Sequence, residues 1–165
     1  MLSKTMQDAI NEQINRELYS SYLYLSMSAF FSERNLPGFA QWLGVQAEEE
    51  RGHAMKFHAF LLDRGGHVAL KEIAAPASEW KSSLEAFKEV QAHEGKVTAS
   101  INSLYELALK EKDYPAQVLL QWFINEQVEE EKNATEVVAQ LELIDSRGTA
   151  VLMLDHRLGK RGGEG

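Results

Sequence analysis

Apolar residues recur at intervals of three and four along most of the chain, the spacing of one buried face of an α-helix. This periodicity predicts four long helices, which span Thr5 to Arg34, Gly38 to Arg64, Ser83 to Lys112 and Pro115 to Ser146. A fifth, short amphipathic helix is predicted at about residues 149–159, before a tail at 160–165. No useful stretch alternates apolar and polar residues as a strand does. The pattern therefore predicts an all-α fold.

The lengths of the connections predict how these helices are arranged. The first and second helices are joined tightly, as are the third and fourth, so each pair should form an antiparallel hairpin. The connector at residues 65–82 is longer than a helical hairpin needs, and it can cross the length of the bundle. We therefore expect one domain over residues 1–165, with a four-helix bundle at 5–146, a crossover that makes the second and third helices parallel, and the short fifth helix.

Each long helix carries a carboxylate on its apolar face near mid-length, and these residues are Glu17, Glu50, Glu94 and Glu130. On the first helix that face is predicted to run Ile10, Ile14, Glu17, Ser21, Tyr24, Ser28 and Phe31. An uncompensated buried carboxylate costs several kcal/mol, so four would consume most of the ~5–15 kcal/mol that stabilises a domain. No lysine or arginine lies on the same faces. A bound cation is therefore expected.

The spacing of these residues indicates how the cation is held. Glu50 and His53 are three residues apart, so they project from one face of the helix and can bind one ion together. Glu50 can also bridge to a second ion, bound by Glu94 and Glu130 from the other hairpin. Oxygen ligands with one imidazole suit iron or manganese.

Other residues near these faces leave alternatives open. Gln127 is either a ligand or a hydrogen-bonded core amide, and Tyr24 has either a packing role or a redox or hydrogen-bonding role. Three acidic residues flank Glu50 and Glu130, and they form either a solvated surface or a further cation site: Glu49, Glu126 and Glu129. The remaining histidines are expected at the surface or in connectors: His58, His67, His93 and His156.

Composition narrows the class of protein further. The chain has no cysteine, which excludes disulfides and thiolate-bound metals, and its net charge is −8, which argues against binding to nucleic acid. The amino terminus lacks the apolar core of a signal peptide, and no segment approaches the ~18 apolar residues of a membrane span. We expect a soluble cytoplasmic protein with no nucleic-acid or membrane partner.

Taken together, these motifs resemble the ferritin family, in its bacterial non-haem form. The resemblance rests on "INEQINRELYSSYLYLSMS", "QAEEERGHAMK", the lone Glu94, "DYPAQVLLQWFINEQVEEEK" and the short fifth helix. It implies a first iron site at Glu17, Glu50 and His53, and a second at Glu50, Glu94 and Glu130 with Gln127 close by. It also implies a third site at Glu49, Glu126 and Glu129, which share Glu130, and it places Tyr24 beside the di-iron centre.

The resemblance implies a ferroxidase, in which O2 or H2O2 oxidises Fe(II) and ferric mineral collects inside a homo-oligomeric shell of 24 subunits. The alternative is a di-iron enzyme on the same bundle that handles oxygen or peroxide without mineralising iron. A purely structural bundle is disfavoured by the buried carboxylates.

Haem is not expected. Bacterioferritin carries a second E-x-x-H where this chain has Gln127 to Glu130, and Arg51 stands where its haem-ligating methionine would lie.

Overall fold

The structure is a computed structural model that describes residues 1–144 and 147–162. Within these ranges the chain forms five helices and no strand: α1 (Lys4–Glu33), α2 (Pro37–Asp63), α3 (Ser83–Glu111), α4 (Tyr114–Ile144) and α5 (Gly148–Leu158). The predicted all-α class is confirmed, and the described helix ends lie within one residue of the prediction. The predicted end of the fourth helix at Ser146, and tail residues 163–165, lie outside the described residues. No described helix has the length and apolarity required to cross a membrane.

Local side-chain caps begin three of the long helices. The hydroxyl of Ser3 accepts a hydrogen bond from the Met6 N–H at 3.0 Å, and Ser82 does the same for Glu85 at 3.0 Å. Asp113 precedes α4 and accepts from the Ala116 N–H at 3.1 Å. These oxygens satisfy N–H groups that have no partner within the helix, so the polar residues in these short connections fix where each helix starts.

Contacts between helices establish the topology. The Ser21 hydroxyl donates to the Ala47 carbonyl at 2.7 Å and the Ser28 hydroxyl to the Ala40 carbonyl at 2.8 Å, so α1 and α2 are antiparallel. The Gln117 amide donates to the Ala108 carbonyl at 3.1 Å across the α3–α4 hairpin.

Helix α1 also lies antiparallel to α3, because Phe31 near its end contacts Phe87 near the start of α3, with ring centroids 5.8 Å apart. Helices α2 and α3 are therefore parallel, as the long connector predicts.

The connector between α2 and α3 runs along the outside of α1. Three polar side chains of α1 fasten it in sequence order. The Asn11 amide donates to the His67 carbonyl at 2.9 Å, the Asn15 amide to the Glu72 carbonyl at 3.0 Å, and the Ser26 hydroxyl to the Ala77 carbonyl at 2.6 Å. Because these donors advance along α1 as the connector advances, the segment crosses from one end of the bundle to the other.

The buried apolar residues form two clusters, one towards each end of the bundle. One cluster contains Phe31 stacked on Phe39 at 4.9 Å, and the other contains Phe57 stacked on Phe123 at 4.0 Å. The face predicted for α1 is partly wrong, since Ser21 and Ser28 are only half-buried at the contact with α2. The two clusters leave a polar layer between them at mid-length.

Helix α5 packs over the start of α2. The Asp155 carboxylate is buried and accepts a hydrogen bond from the Phe39 N–H at 2.9 Å, so α5 caps the amino-terminal turn of α2. The contact is so close that a Cβ at Gly38 would lie 1.6 Å from the Asp155 carbonyl oxygen. Only glycine fits at position 38, and this contact fixes where the chain beyond α5 emerges.

Candidate metal centre

The polar layer at mid-length is made of carboxylates from all four long helices. Glu17, Glu50, Glu94 and Glu130 have exposed fractions of 1%, 0%, 1% and 4%, and His53 is also buried. Each side chain faces inward because it lies on the buried face of its helix, at the same spacing of three and four residues as its apolar neighbours. The predicted positions therefore come together in one buried site.

These side chains form two groups of potential metal ligands that share one residue. The first group is Glu17, Glu50 and His53, and the second is Glu50, Glu94 and Glu130. Within each group the ligand atoms all lie within 4.8 Å of one another. Glu50 belongs to both groups, so two cations held here would be neighbours with one carboxylate in common.

The orientation of His53 is set by contacts on both sides of its ring. Its Nδ1 lies 3.2 Å from Glu50 Oε2, and its Nε2 lies 3.9 Å from Glu126 Oε1. The ring packs edge-on against Trp122 and Phe123 of α4, with centroids 5.6 Å and 5.8 Å apart. These aromatic contacts hold the imidazole on the same face as Glu50.

Neutral hydrogen-bond donors surround the four carboxylates. The Gln13 amide donates to Glu17 at 2.7 Å. The Gln46 amide donates to Glu130 at 2.6 Å and more weakly to Glu50 at 3.3 Å.

On the other side of the site the Gln127 amide donates to Glu94 at 3.2 Å, and the Tyr24 hydroxyl donates to the same carboxylate. Amide and phenol groups orient a carboxylate but do not neutralise it. Among the described residues no lysine or arginine forms an ion pair with these carboxylates, and Glu17 Oε2 is buried without a hydrogen-bond partner.

Burial is the main reason that these groups hold protons more tightly than usual. Burial raises the pKa of Glu17 and of Glu50 well above the usual range, and each is raised further by a neighbouring carboxylate. Burial and then the Glu94 charge raise the pKa of Glu130 to about 7. Burial also raises the pKa of Glu94. The phenol pKa of Tyr24 is raised by burial and then by Glu94, so the hydroxyl stays protonated and donates.

The three flanking acidic residues are arranged differently. Glu126 is partly buried and forms a third ligand group with His53 and Glu130. Glu49 and Glu129 are exposed, and neither joins a three-ligand group in the part of the chain that the structure describes. Glu49 instead pairs with Arg161, at 2.6 Å. The structure thus brings one of the three towards the buried site, and the third iron site stays a prediction.

Sequence reasoning missed two amides that support the ligands. Gln13 and Gln46 each precede a buried carboxylate by four residues, so they lie on the same helix face one turn earlier. That spacing was a usable signal, because a buried carboxylate needs donors and a glutamine one turn away supplies them.

The surface assignment of His93 is wrong. Its ring lies against Tyr19 and Tyr24, both at 5.8 Å, and its Nε2 is 2.7 Å from the Ser20 hydroxyl. Burial, and then the charge of Lys96, lower the pKa of His93 to about 4, so the imidazole is neutral.

Comparisons with known proteins agree with this geometry. The family model described as the ferritin-like domain matches residues 7–144. The chain is 38% identical to a bacterial non-heme ferritin of Bacteroides fragilis over 161 residues, which cover 98% of this chain and 100% of that protein. It is 40% identical to a bacterial non-heme ferritin of Campylobacter jejuni over 155 residues, 94% of this chain and 93% of the relative.

Among solved structures, the open pore ferritin from the hyperthermophilic archaeon Archaeoglobus fulgidus superposes with a TM-score of 0.97 at 46% identity, covering 98% of this chain and 99% of that chain. A match of this extent in sequence and in fold shows that the chain belongs to the ferritin family.

Proposed function

We propose that this protein stores iron and that it oxidises Fe(II) within its own helical bundle. Glu17, Glu50 and His53 bind one Fe(II), and Glu50, Glu94 and Glu130 bind the second. Glu126, Glu49 and Glu129 receive iron as it leaves the buried pair. Iron storage follows from membership of the ferritin family, and the assignment of roles to individual residues is our proposal.

The single observation that carries the proposal is the set of four buried carboxylates, none of which forms an ion pair with a lysine or arginine of the described residues. If these carboxylates were ionised and uncompensated, each would cost several kcal/mol, against a typical net stability of ~5–15 kcal/mol, and this cost is why burial raises their pKa values. Two divalent cations at the shared ligand groups would neutralise them. Oxygen ligands with one imidazole favour Fe(II) over softer metals.

Two adjacent Fe(II) ions can deliver two electrons to one oxidant. Oxidation of two Fe(II) to two Fe(III) reduces O2, with two protons, to H2O2, or reduces H2O2, with two protons, to two molecules of water. Glu50 holds the pair together because it belongs to both ligand groups. Gln46, Gln127 and Tyr24 keep the carboxylates oriented through neutral hydrogen bonds, so they add no charge that would repel the metal.

The proposal includes assembly of the chain into a hollow shell in the cytoplasm, with 24 subunits as expected from the resemblance. The family membership supports a shell, since storage requires an enclosed volume that a single bundle of this size does not provide. The alternative function, a di-iron enzyme that does not mineralise, would use the same buried ligands but would need no enclosed volume.

Stepwise addition of Fe(II) to metal-free protein in air tests the proposal. Oxygen uptake and the iron that co-elutes with protein on gel filtration are recorded after each addition. We expect rapid oxidation from the first addition and retention of iron far beyond three ions per chain. Saturation at two or three ions per chain would favour the non-mineralising enzyme, and uncatalysed oxidation would contradict the proposed centre.

A further inference from the structure

The segment after α5 brings an arginine onto one of the flanking carboxylates. Arg161 Nη2 donates to Glu49 Oε2 at 2.6 Å, and the guanidinium group lies over the ring of Trp42 at 4.4 Å. The Arg161 side chain has an exposed fraction of 20%, against 43% for Glu49. The arginine is thus the more buried partner, and it is held from two directions.

The backbone around Arg161 is fixed against α2. The Arg161 carbonyl accepts a hydrogen bond from the Gln41 amide at 3.4 Å. Gly162 has a positive φ of 75°, and a Cβ there would lie 3.0 Å from Val45 Cγ2. Because α5 is itself anchored to the start of α2 through Asp155, the position of Arg161 over Trp42 follows from packed structure on both sides.

Arg161 and a metal ion compete for the Glu49 carboxylate. Glu49 Oε2 accepts a hydrogen bond from the guanidinium group, and the positive charge of that group repels a cation at the remaining oxygen. Glu49 is a predicted ligand of the third iron, and its described partner is Arg161. Within the described part of the chain no arginine pairs with the buried ligand groups, so this competition concerns the outer position.

We propose that Arg161 is a built-in competitor that weakens the binding of iron at the outer carboxylates. This inference rests on the proposed function, because it concerns iron that has left the two buried ligand groups. Iron reaches Glu126 beside His53, where a ligand group already exists, and then meets Glu49 occupied by Arg161. The outer position therefore holds iron briefly and passes it on, whereas an unoccupied Glu49 would retain it.

Anaerobic titration of the assembled protein with Fe(II), followed by calorimetry, tests this competition. In Arg161→Gln we expect the third Fe(II) per subunit to bind about tenfold more tightly, while the first two bind as in the unmodified protein. Arg161→Lys keeps the charge but loses the planar fork and the stacking on Trp42, so its effect should be smaller. Lys160→Gln removes one positive charge from the adjacent, exposed position and should change nothing.

A double variant separates competition from a merely structural role of Arg161. Glu49→Gln should weaken the third Fe(II), and adding Arg161→Gln to it should have no further effect. A third Fe(II) that binds equally or less tightly in Arg161→Gln would overturn the inference, as would equal effects of Arg161→Gln with and without Glu49. Failure of the first two Fe(II) to bind to the unmodified protein would instead overturn the proposed function.

Discussion

The carboxylates inside the bundle and those at its edge differ in what surrounds them. Glu50 and Glu94 are enclosed by packed helices, and their hydrogen-bond partners are amides, a phenol and the imidazole of His53. Glu49 and Glu129 are exposed, and Glu49 has an arginine beside it. A carboxylate in the interior must either hold a proton or pair with a cation, whereas a charge at the edge is satisfied by water or by a side chain.

The largest expected effect comes from removing the carboxylate that both buried ligand groups share. Glu50→Ala should lower the initial rate of Fe(II) oxidation by at least about 100-fold, because neither cation position keeps its ligand set. Stopped-flow absorbance after mixing with Fe(II) in air measures this rate. Glu48→Ala is the matched control, since Glu48 is exposed and pairs only loosely with Arg51, at 4.0 Å. Equal rates in the two variants would contradict the assignment of Glu50.

The pH dependence of cation binding should also separate the two regions. A carboxyl with a raised pKa must lose its proton before it binds a cation, and the pKa of Glu130 is about 7. Cation affinity at the second ligand group, to which Glu130 belongs, should therefore fall about tenfold per pH unit below 7. Anaerobic calorimetry with Fe(II) between pH 5.5 and 8 measures this. An affinity at this group that does not change with pH would contradict the raised pKa of Glu130.

The same shifts predict how the metal-free protein responds to pH. The pKa of Glu130 is higher in the folded than in the unfolded chain, so the folded state binds more protons between about pH 4.3 and 7. The pKa values of the other three buried carboxyls are raised in the same direction. Their contribution to the free energy of unfolding is therefore lost as the pH rises through that window. Thermal melts with a chelator should show this loss, and saturating divalent cation should reverse it. Melting temperatures that respond equally to pH with and without the cation would argue against it.

A smaller effect is expected from a residue that supports the buried ligands without charge. Gln46→Leu keeps the volume of the side chain but removes the donor to Glu130 and Glu50. Cation affinity at the second ligand group should fall about tenfold, as is usual for loss of a group that orients a ligand. Gln91→Ala, which loses only an exposed hydrogen bond to Thr135, is the control. Calorimetric affinities that match in both variants would show that Gln46 only packs.

The smallest effect on rate should come from the edge of the bundle. Glu129→Ala should change the initial oxidation rate less than about twofold, because Glu129 lies outside the buried ligand groups and exposed charges interact weakly. It should alter the ratio of iron oxidised to oxygen consumed over many turnovers, as measured with an oxygen electrode. Glu136→Ala removes another exposed carboxylate of α4 and should leave that ratio unchanged. Identical ratios in both variants would count against a third iron site.

Periodicity predicted the buried carboxylates because each lies on the one face that its helix turns towards the bundle axis. It failed where a helix contacts a second neighbour. His93 points about 100° away from Glu94 along α3, and that direction faces Tyr19 and Tyr24 of α1 rather than solvent. The buried face predicted from the sequence of one helix does not show which residues on its sides contact a second helix.

The other differences between the predictions and the structure arise from contacts between helices, which the spacing of residues along one helix does not indicate. Ser21 and Ser28 are small and half-buried, and their hydroxyls bond to the backbone of α2 instead of filling the core. Arg161 and Glu49 are separated by 112 positions in the chain, so their pairing depends on where α5 packs. Local patterns therefore predicted the inner ligands, and tertiary packing decided what the outer carboxylates contact.

Anomalous diffraction from crystals soaked anaerobically with Fe(II) would test the difference between the inner and outer carboxylates most directly. Two iron peaks are expected, one among Glu17, Glu50 and His53 and the other among Glu50, Glu94 and Glu130, with the outer position filled only at higher iron concentration. Iron bound first or only at the exposed carboxylates, with the buried groups empty at saturating Fe(II), would contradict it.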